Sequence, residues 1–312
     1  MDFLLDTQAL TDFLSTSLRL SIPIIFAAVG GVLAERAGVF NISLEGCILA
    51  GAFGAAVGAF LSGTPVGGLF LGIAVAACAG MILAGLAVGL GINQLVAGIA
   101  INILMIGMTS YLARLILGAD ATSTLPGFHA IAIPGLSAIP VLGPVLFKQD
   151  FLTYLMYVTV PLAWWLLYKT PWGLNIRAIG DFPVAADSAG ISVPGVRVAC
   201  VMASCMLAGL GGCYLVLSQV FVFTEHMSAG KGFIALAALI LGRWNPVGAL
   251  LACVFFGLTD ALQLRLQFNS PEVPYQLFSM VPFVASFLAL VLFAGKVRPP
   301  SAIGKKYVRG GK

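Results

Sequence analysis

The sequence predicts an all-α polytopic membrane protein with about 8–10 transmembrane segments, and three observations carry that expectation. Of the 312 residues, 60% are hydrophobic and only 9% are charged. The mean hydropathy is +1.05. A soluble domain of this size carries about 25% charged residues, because its surface faces water. Apolar runs near the ~20 residues needed to cross a bilayer recur along the whole chain. They are continuous, whereas the strands of a membrane barrel alternate apolar and polar positions. A soluble enzyme, a nucleic-acid-binding domain and a disordered linker are thereby excluded.

The runs lie at 13–34, 46–63, 66–90, 93–117, 150–168, 198–221, 232–242, 246–267 and 275–295. Asp2, Asp6 and Asp12 surround the approach to the first run without a basic residue, so the positive n-region of a cleavable signal peptide is not present there. The fourth run opens at Asn93-Gln94, a natural helix start. Gly118–Asp150 follows it, rich in Pro and Gly, and reads as a partly ordered surface loop that meets an external partner. Between the fifth and sixth runs, Lys169–Arg197 holds a predicted short helix: Asp181 caps it, Pro183 fits its first turn and Gly190 ends it. The seventh run is only about 11 residues long and closes at Arg243-Trp244-Asn245-Pro246. Such an element is a half-helix or re-entrant segment, which needs protein around its ends. All of 1–312 reads as one transmembrane domain.

Charge placement gives an orientation. If the N-terminus is outside and each segment crosses once, Arg36, Lys169, Arg177, Arg197, Arg243, Lys296, Arg298, Lys305, Lys306, Arg309 and Lys312 fall inside. Those are eleven of the 16 basic residues, as the positive-inside bias requires, and the C-terminus is cytoplasmic. Cys47, Cys78, Cys200, Cys205, Cys213 and Cys253 all sit in apolar runs without paired spacing, and read as small packing residues rather than as metal ligands or disulfides.

An internal repeat follows from two segments. Ile42–Gly80 and Met227–Ala261 share a Ser-containing entry ending in Gly, a small-residue helix, a Pro-Val-Gly turn (Pro65-Val66-Gly67 and Pro246-Val247-Gly248) and a second helix. The first copy runs outward and returns, and the second runs inward and returns, so the halves at about 20–117 and 198–295 are inverted. Inverted repeats are a transporter device, because pseudo-symmetric halves expose one pathway to either side in turn. The helix predicted in the 169–197 loop has a small apolar surface and few basic residues, which suits a groove in a cytoplasmic partner better than a lipid interface.

Several segments resemble a known family. Glu35-Arg36-Ala37-Gly38-Val39-Phe40-Asn41-Ile42-Ser43-Leu44-Glu45-Gly46 is similar to the entry motif of bacterial ABC-importer permeases of the ribose/branched-chain amino acid superfamily, and within it to the nucleoside-type permeases. Gly180 to Ile191 resembles their ATPase-contacting loop, with Phe182 standing where these permeases usually have Asn. Thr224 to Ala238, Arg243 to Ala249 and Gly257 to Gln263 resemble the second-half motif. The resemblance spans about Leu20 to Gln267. It implies the permease subunit of an importer for nucleosides in the bacterial inner membrane, without catalysis of its own. It also implies ATPase subunits that bind the ATP and Mg, a second and non-identical permease, and an extracytoplasmic substrate-binding protein. The chain has no GxxxxGK[ST] loop with which to bind ATP itself.

The docking residues so implied are Asp181, Pro183, Ala185, Ala186, Asp187, Ala189 and Gly190. Polar groups inside apolar helices are costly, so Asn41, Glu45, Asn93, Asn102, Glu225 and Asp260 are the candidates for the substrate pathway. Each has a structural alternative. Glu45 caps a helix or pairs with Arg36, Asp260 pairs with Arg265, Asn93 caps, and Asn102 bonds between helices. Phe53, Phe221 and Phe233 are available to stack a nucleobase. A simple-sugar importer and a self-sufficient secondary transporter are the alternative functions.

Overall fold

A computed structural model of the chain describes residues 7–118, 124–269, 274–293 and 298–307. Each predicted apolar run is helical through its described residues apart from single residues at some ends and a break at Met280 in the last run. The first half contains α1 (Thr7–Arg36), α2 (Leu44–Ser62), α3 (Pro65–Ala84, prolonged by a π-helical turn at Gly85–Gly89) and α4 (Gln94–Ile116). The middle contains α5 (Leu142–Phe147), α6 (Phe151–Lys169), α7 (Pro171–Asp181) and α8 (Pro183–Ser188). The last part contains α9 (Val193–Tyr214, prolonged by a π-helical turn at Leu215–Val220), α10 (Lys231–Leu241), α11 (Pro246–Asn269), α12 (Tyr275–Ser279) and α13 (Val281–Phe293). Seven of these, α1, α2, α3, α4, α6, α9 and α11, are long and apolar enough to cross a membrane. The short α10 and the α12–α13 pair account for the other two predicted runs. Residues 294–295 of the last run, with Lys296, Arg309 and Lys312, lie outside the described residues.

Helix starts follow local chemistry. Pro occupies the first turn of α3, α7, α8 and α9, where its missing N–H costs nothing. Side chains cap several of them: Asn93 Oδ1 accepts from Leu95 N at 3.0 Å, Asp150 Oδ1 from Leu152 N at 2.9 Å, and Asn245 Oδ1 from Val247 N at 2.9 Å.

Three helices form the centre. In their most apolar stretches α1, α2 and α9 are 83%, 89% and 78% buried, against 33% for α3, α4, α6 and α11. The central helices approach closely because glycine faces glycine or backbone: a Cβ at Gly51 would run into the backbone of Gly209, and one at Gly212 into Ile48 O. Small residues at crossings are how helices pack without a hydrophobic driving force between them. The 124–150 segment carries α5 and a two-residue hairpin, β1 (Ile131–Ala132) against β2 (Lys148–Gln149). It is pinned over one end of α9 by Leu125 N to Phe221 O and Phe128 N to Leu217 O.

Basic residues gather at the other end. Arg36 donates to Trp244 O (2.7 Å) and to Tyr168 Oη (3.3 Å), which joins the ends of α1, α10 and α6. Arg177 lies over the Tyr168 ring, and Lys169 over the Trp164 ring. Arg197 bonds Ala37 O and Lys305 O. Arg36, Lys169, Arg177 and Arg197, which the sequence placed on one side, thus lie together at one end of the bundle.

Candidate functional site

The site grows from the break between α1 and α2. Glycine at Gly38, with φ +83°, lets the chain turn back into the bundle, and the coil climbs to start α2 among other helices. Asn41 fixes that coil. Its Oδ1 accepts from Ser43 N (3.1 Å) and Ser43 Oγ (2.7 Å), and its Nδ2 donates to Ser204 Oγ on α9 (2.8 Å). Asn102 on α4 does the same from the other side, accepting from Gly46 N (2.8 Å) and donating to Ile42 O (3.0 Å). Both asparagines are buried, so these bonds satisfy groups that lipid would leave unpaired.

Glu45 reaches across the bundle to the start of α10. Its carboxylate accepts from Ser228 Oγ (2.6 Å), Gly230 N (2.8 Å) and Gly232 N (2.7 Å). These donors are the entry turn of α10, so the α2 carboxylate caps α10. The N-termini of α2 and α10 thus meet inside the bundle, and a Cβ at Gly232 would run into the Glu45 backbone. Two positive helix ends facing one another are neutralised by one carboxylate. Beyond the far end of α10 the contact is to a side chain: Trp244 Nε1 donates to Glu35 Oε2 at 2.5 Å. The chain is thus bonded to acids of the first half on both flanks of the 11-residue α10.

The remaining pathway candidates lie elsewhere. Asn93 is exposed at the start of α4, where it caps. Glu225 is exposed and forms a two-point ion pair with Arg114 at the end of α4 (2.6 and 3.2 Å). The Arg114 guanidinium holds the Glu225 carboxyl below its ordinary value. Asp260 is half-buried on α11. Arg265, expected to be its partner, donates to Ala9 O instead. Of the aromatic candidates, Phe53 is buried edge-on to Phe223 at 6.0 Å, and Phe233 is 49% exposed. Among the described residues no cluster of three or more His, Cys, Asp or Glu is placed to hold a metal.

The predicted loop helix is α8, at the basic end. Asp181 closes α7 instead of capping α8, because Thr170 and Pro171 start a helix that continues through to it. Pro183 occupies the first turn, and Gly190 follows the end with φ +84°. Ala186 is buried against Ile179 and Val193, which fixes the helix to its neighbours. Phe182, Val184 and Ala185 are exposed; Asp187 is half-buried, and Ala189 is exposed. A small apolar face is left presented at this end.

Sequence reasoning did not single out Ser204, Ser228 or Trp244 as partners. Ser228 and Trp244 stand inside the two second-half motifs, and that was the available signal.

A model of the branched-chain amino acid transport system permease component matches residues 13–292. The chain belongs to this permease family. The permease is 37% identical to the guanosine ABC transporter permease NupQ of Bacillus subtilis, over 97% of this chain and 98% of NupQ. It is 35% identical to the nucleoside ABC transporter permease NupC of Lactococcus lactis, over 93% and 94% of the two chains. TsgC13 of Haloferax volcanii, provisionally named a glucose ABC transporter permease, is 31% identical over 81% of this chain and 77% of its own. No solved structure matches the permease. The family and the seven long apolar helices make it a multi-pass membrane protein and the permease subunit of an ABC importer.

Proposed function

We propose that this permease carries nucleosides into the cell, driven by ATP hydrolysis in a partner subunit that seats α8. The observation that carries the coupling role is α8 itself. It is a short helix anchored by Ala186 and presenting Phe182, Val184 and Ala185 at the basic end of the bundle. The nucleoside reading is supported by NupQ and NupC, which match nearly end to end. The basic end, with the C-terminus, faces the cytoplasm of a bacterial inner membrane by the positive-inside rule. ATP and Mg belong to the ATPase, a second and non-identical permease completes the membrane unit, and a substrate-binding protein delivers from the 124–150 side. Asn93, Glu225 and Asp260 retain surface for a passing solute. Asn41, Glu45 and Asn102 shape the pathway by holding α2 and α10 in place.

The test is uptake in vesicles holding the permease with its ATPase, second permease and binding protein. Guanosine uptake is competed by other nucleosides and not by ribose or glucose; the reverse pattern assigns a simple sugar. Val184→Glu is expected to abolish uptake and ATPase co-purification while the protein still accumulates in the membrane. An ATPase that co-purifies unchanged with this variant removes α8 as its seat. Ala186 is the poorer probe, because it is buried and a charge there would disrupt α8 itself.

A further inference from the structure

We infer that the C-terminal segment 298–307 is a strut that transmits movement of α8 to the α1–α2 break, with Arg197 as its positioning residue. The inference rests on the reading of α8 as the ATPase seat. Arg197, at the start of α9, is 3% exposed. Its Nε donates to Ala37 O, immediately after α1, at 3.2 Å, and its Nη1 to Lys305 O at 3.1 Å. The same segment donates Ala302 N to Gly180 O, in the last turn of α7, at 2.8 Å. Gly180 in turn lies directly against Arg36 O, leaving no space for a side chain. Gly38 leaves room for Arg197 in the same manner: a Cβ there would stand 2.9 Å from Nη2.

Three chain segments distant in sequence are therefore tied into one knot: the end of α1, the end of α7 that leads through Phe182 into α8, and the tail. A cleft of about 450 Å³ between α8 and the tail, lined by Asp181, Val184, Arg197, Lys305 and Lys306, marks where they face each other. From the knot a continuous bonded route leads inward. The coil after Ala37 reaches Asn41, Asn41 fixes Ser43, and the first turn of α2 carries Glu45, which holds α10. A push on α8 thus meets backbone at Gly180 and Arg36 rather than flexible side chains. Arg197 is unusual in this route because its fork grips two carbonyls at once, which a lysine ammonium does not reproduce.

The experiment uses the complete importer in vesicles and measures ATP hydrolysed per solute imported. Arg197→Gln and a chain lacking residues 301–312 are each compared with the unaltered protein, at matched membrane levels. Both variants are expected to co-purify with the ATPase and to hydrolyse ATP at the basal rate. The ATP spent per molecule imported is expected to rise roughly tenfold, a typical coupling magnitude. Arg197→Lys is expected to remain poorly coupled. A ratio unchanged from the unaltered protein, or uptake and hydrolysis falling together, overturns the strut. So does failure of both variants to accumulate, since the knot then only holds the fold. Failure of the unaltered complex to hold the ATPase through α8 is a different result, seen in the Val184→Glu comparison, and it strikes the docking reading instead.

Discussion

The α2–α3 and α10–α11 hairpins begin from related sequence and end in different mechanical states. Both enter through a Ser-containing, Gly-ended motif and turn at Pro-Val-Gly, with Pro65 opening α3 and Pro246 opening α11. Yet α2 has 19 residues, and its entry is fixed by Asn41 and Asn102 from within the first half. The 11-residue α10 has no side-chain cap of its own, and its flanks are bonded to Glu45 and Glu35 of the first half. Its flanks also carry left-handed backbone at His226, Ala229, Arg243 and Trp244, where non-glycine residues are strained. One hairpin is anchored and the other is suspended. A shared entry motif is thus held locally in one hairpin and from across the bundle in the other.

The sharpest way to break that difference is Glu45→Ala. It removes a charged acceptor from three donors at once, so a loss of about 3–5 kcal/mol is expected. Thermal unfolding of the detergent-solubilised protein measures it, together with loss of uptake. Gly232→Ala comes next. Its Cβ meets the Glu45 backbone, which cannot give way, and overpacking of this kind costs about 1–3 kcal/mol. The matched change in the anchored hairpin, Gly46→Ala, meets Asn102 Oδ1 at 2.9 Å and is expected to cost about 1 kcal/mol. Equal losses at the two glycines would erase the asymmetry.

Smaller effects refine it. Ala229→Gly is expected to raise the stability by about 0.5–1 kcal/mol, because glycine adopts the φ of +47° without strain. If the strained entry serves motion, this more stable variant also imports more slowly. The Glu225–Arg114 pair, on the approach to α10, is exposed and is expected to have the least effect. Arg114 lowers the native Glu225 value, so the pair contributes above the unfolded carboxylate value and is lost as the pH falls through the lowered native one. Neutral-pH melting of Glu225→Gln should fall only slightly below that of the unaltered protein, and the difference should vanish at low pH.

What was legible in the sequence divides along physical lines. All nine runs were readable because a bilayer leaves a helix no alternative to internal hydrogen bonding. The shortness of α10 was announced by Arg243-Trp244-Asn245-Pro246, and the capping by Asn93 is local and depends on the next two residues. Helix α8 was readable from Pro183 and Gly190, but Asp181 was assigned to the wrong helix. The stretch after Lys169 looked hydrophilic, and α7 was not anticipated there. Pairings across the fold carried no local signal. Nothing near Glu45 names Gly230 or Gly232, which lie 185 and 187 residues away, and nothing near Arg197 names Lys305.

Those separations set a schedule for biogenesis. When α2 leaves the ribosome, the donors for Glu45 do not yet exist. At about 5–20 residues per second they arrive roughly 10–40 seconds later. Trp244, the partner of Glu35, is 209 residues behind. For that interval the nascent first half holds two carboxylates without their final partners, in an environment that penalises bare charge. The insertion machinery must therefore keep α1 and α2 near water or protein until α10 emerges. Chains halted before α10 should be cleared by membrane proteases, while chains extended past Trp244 should persist.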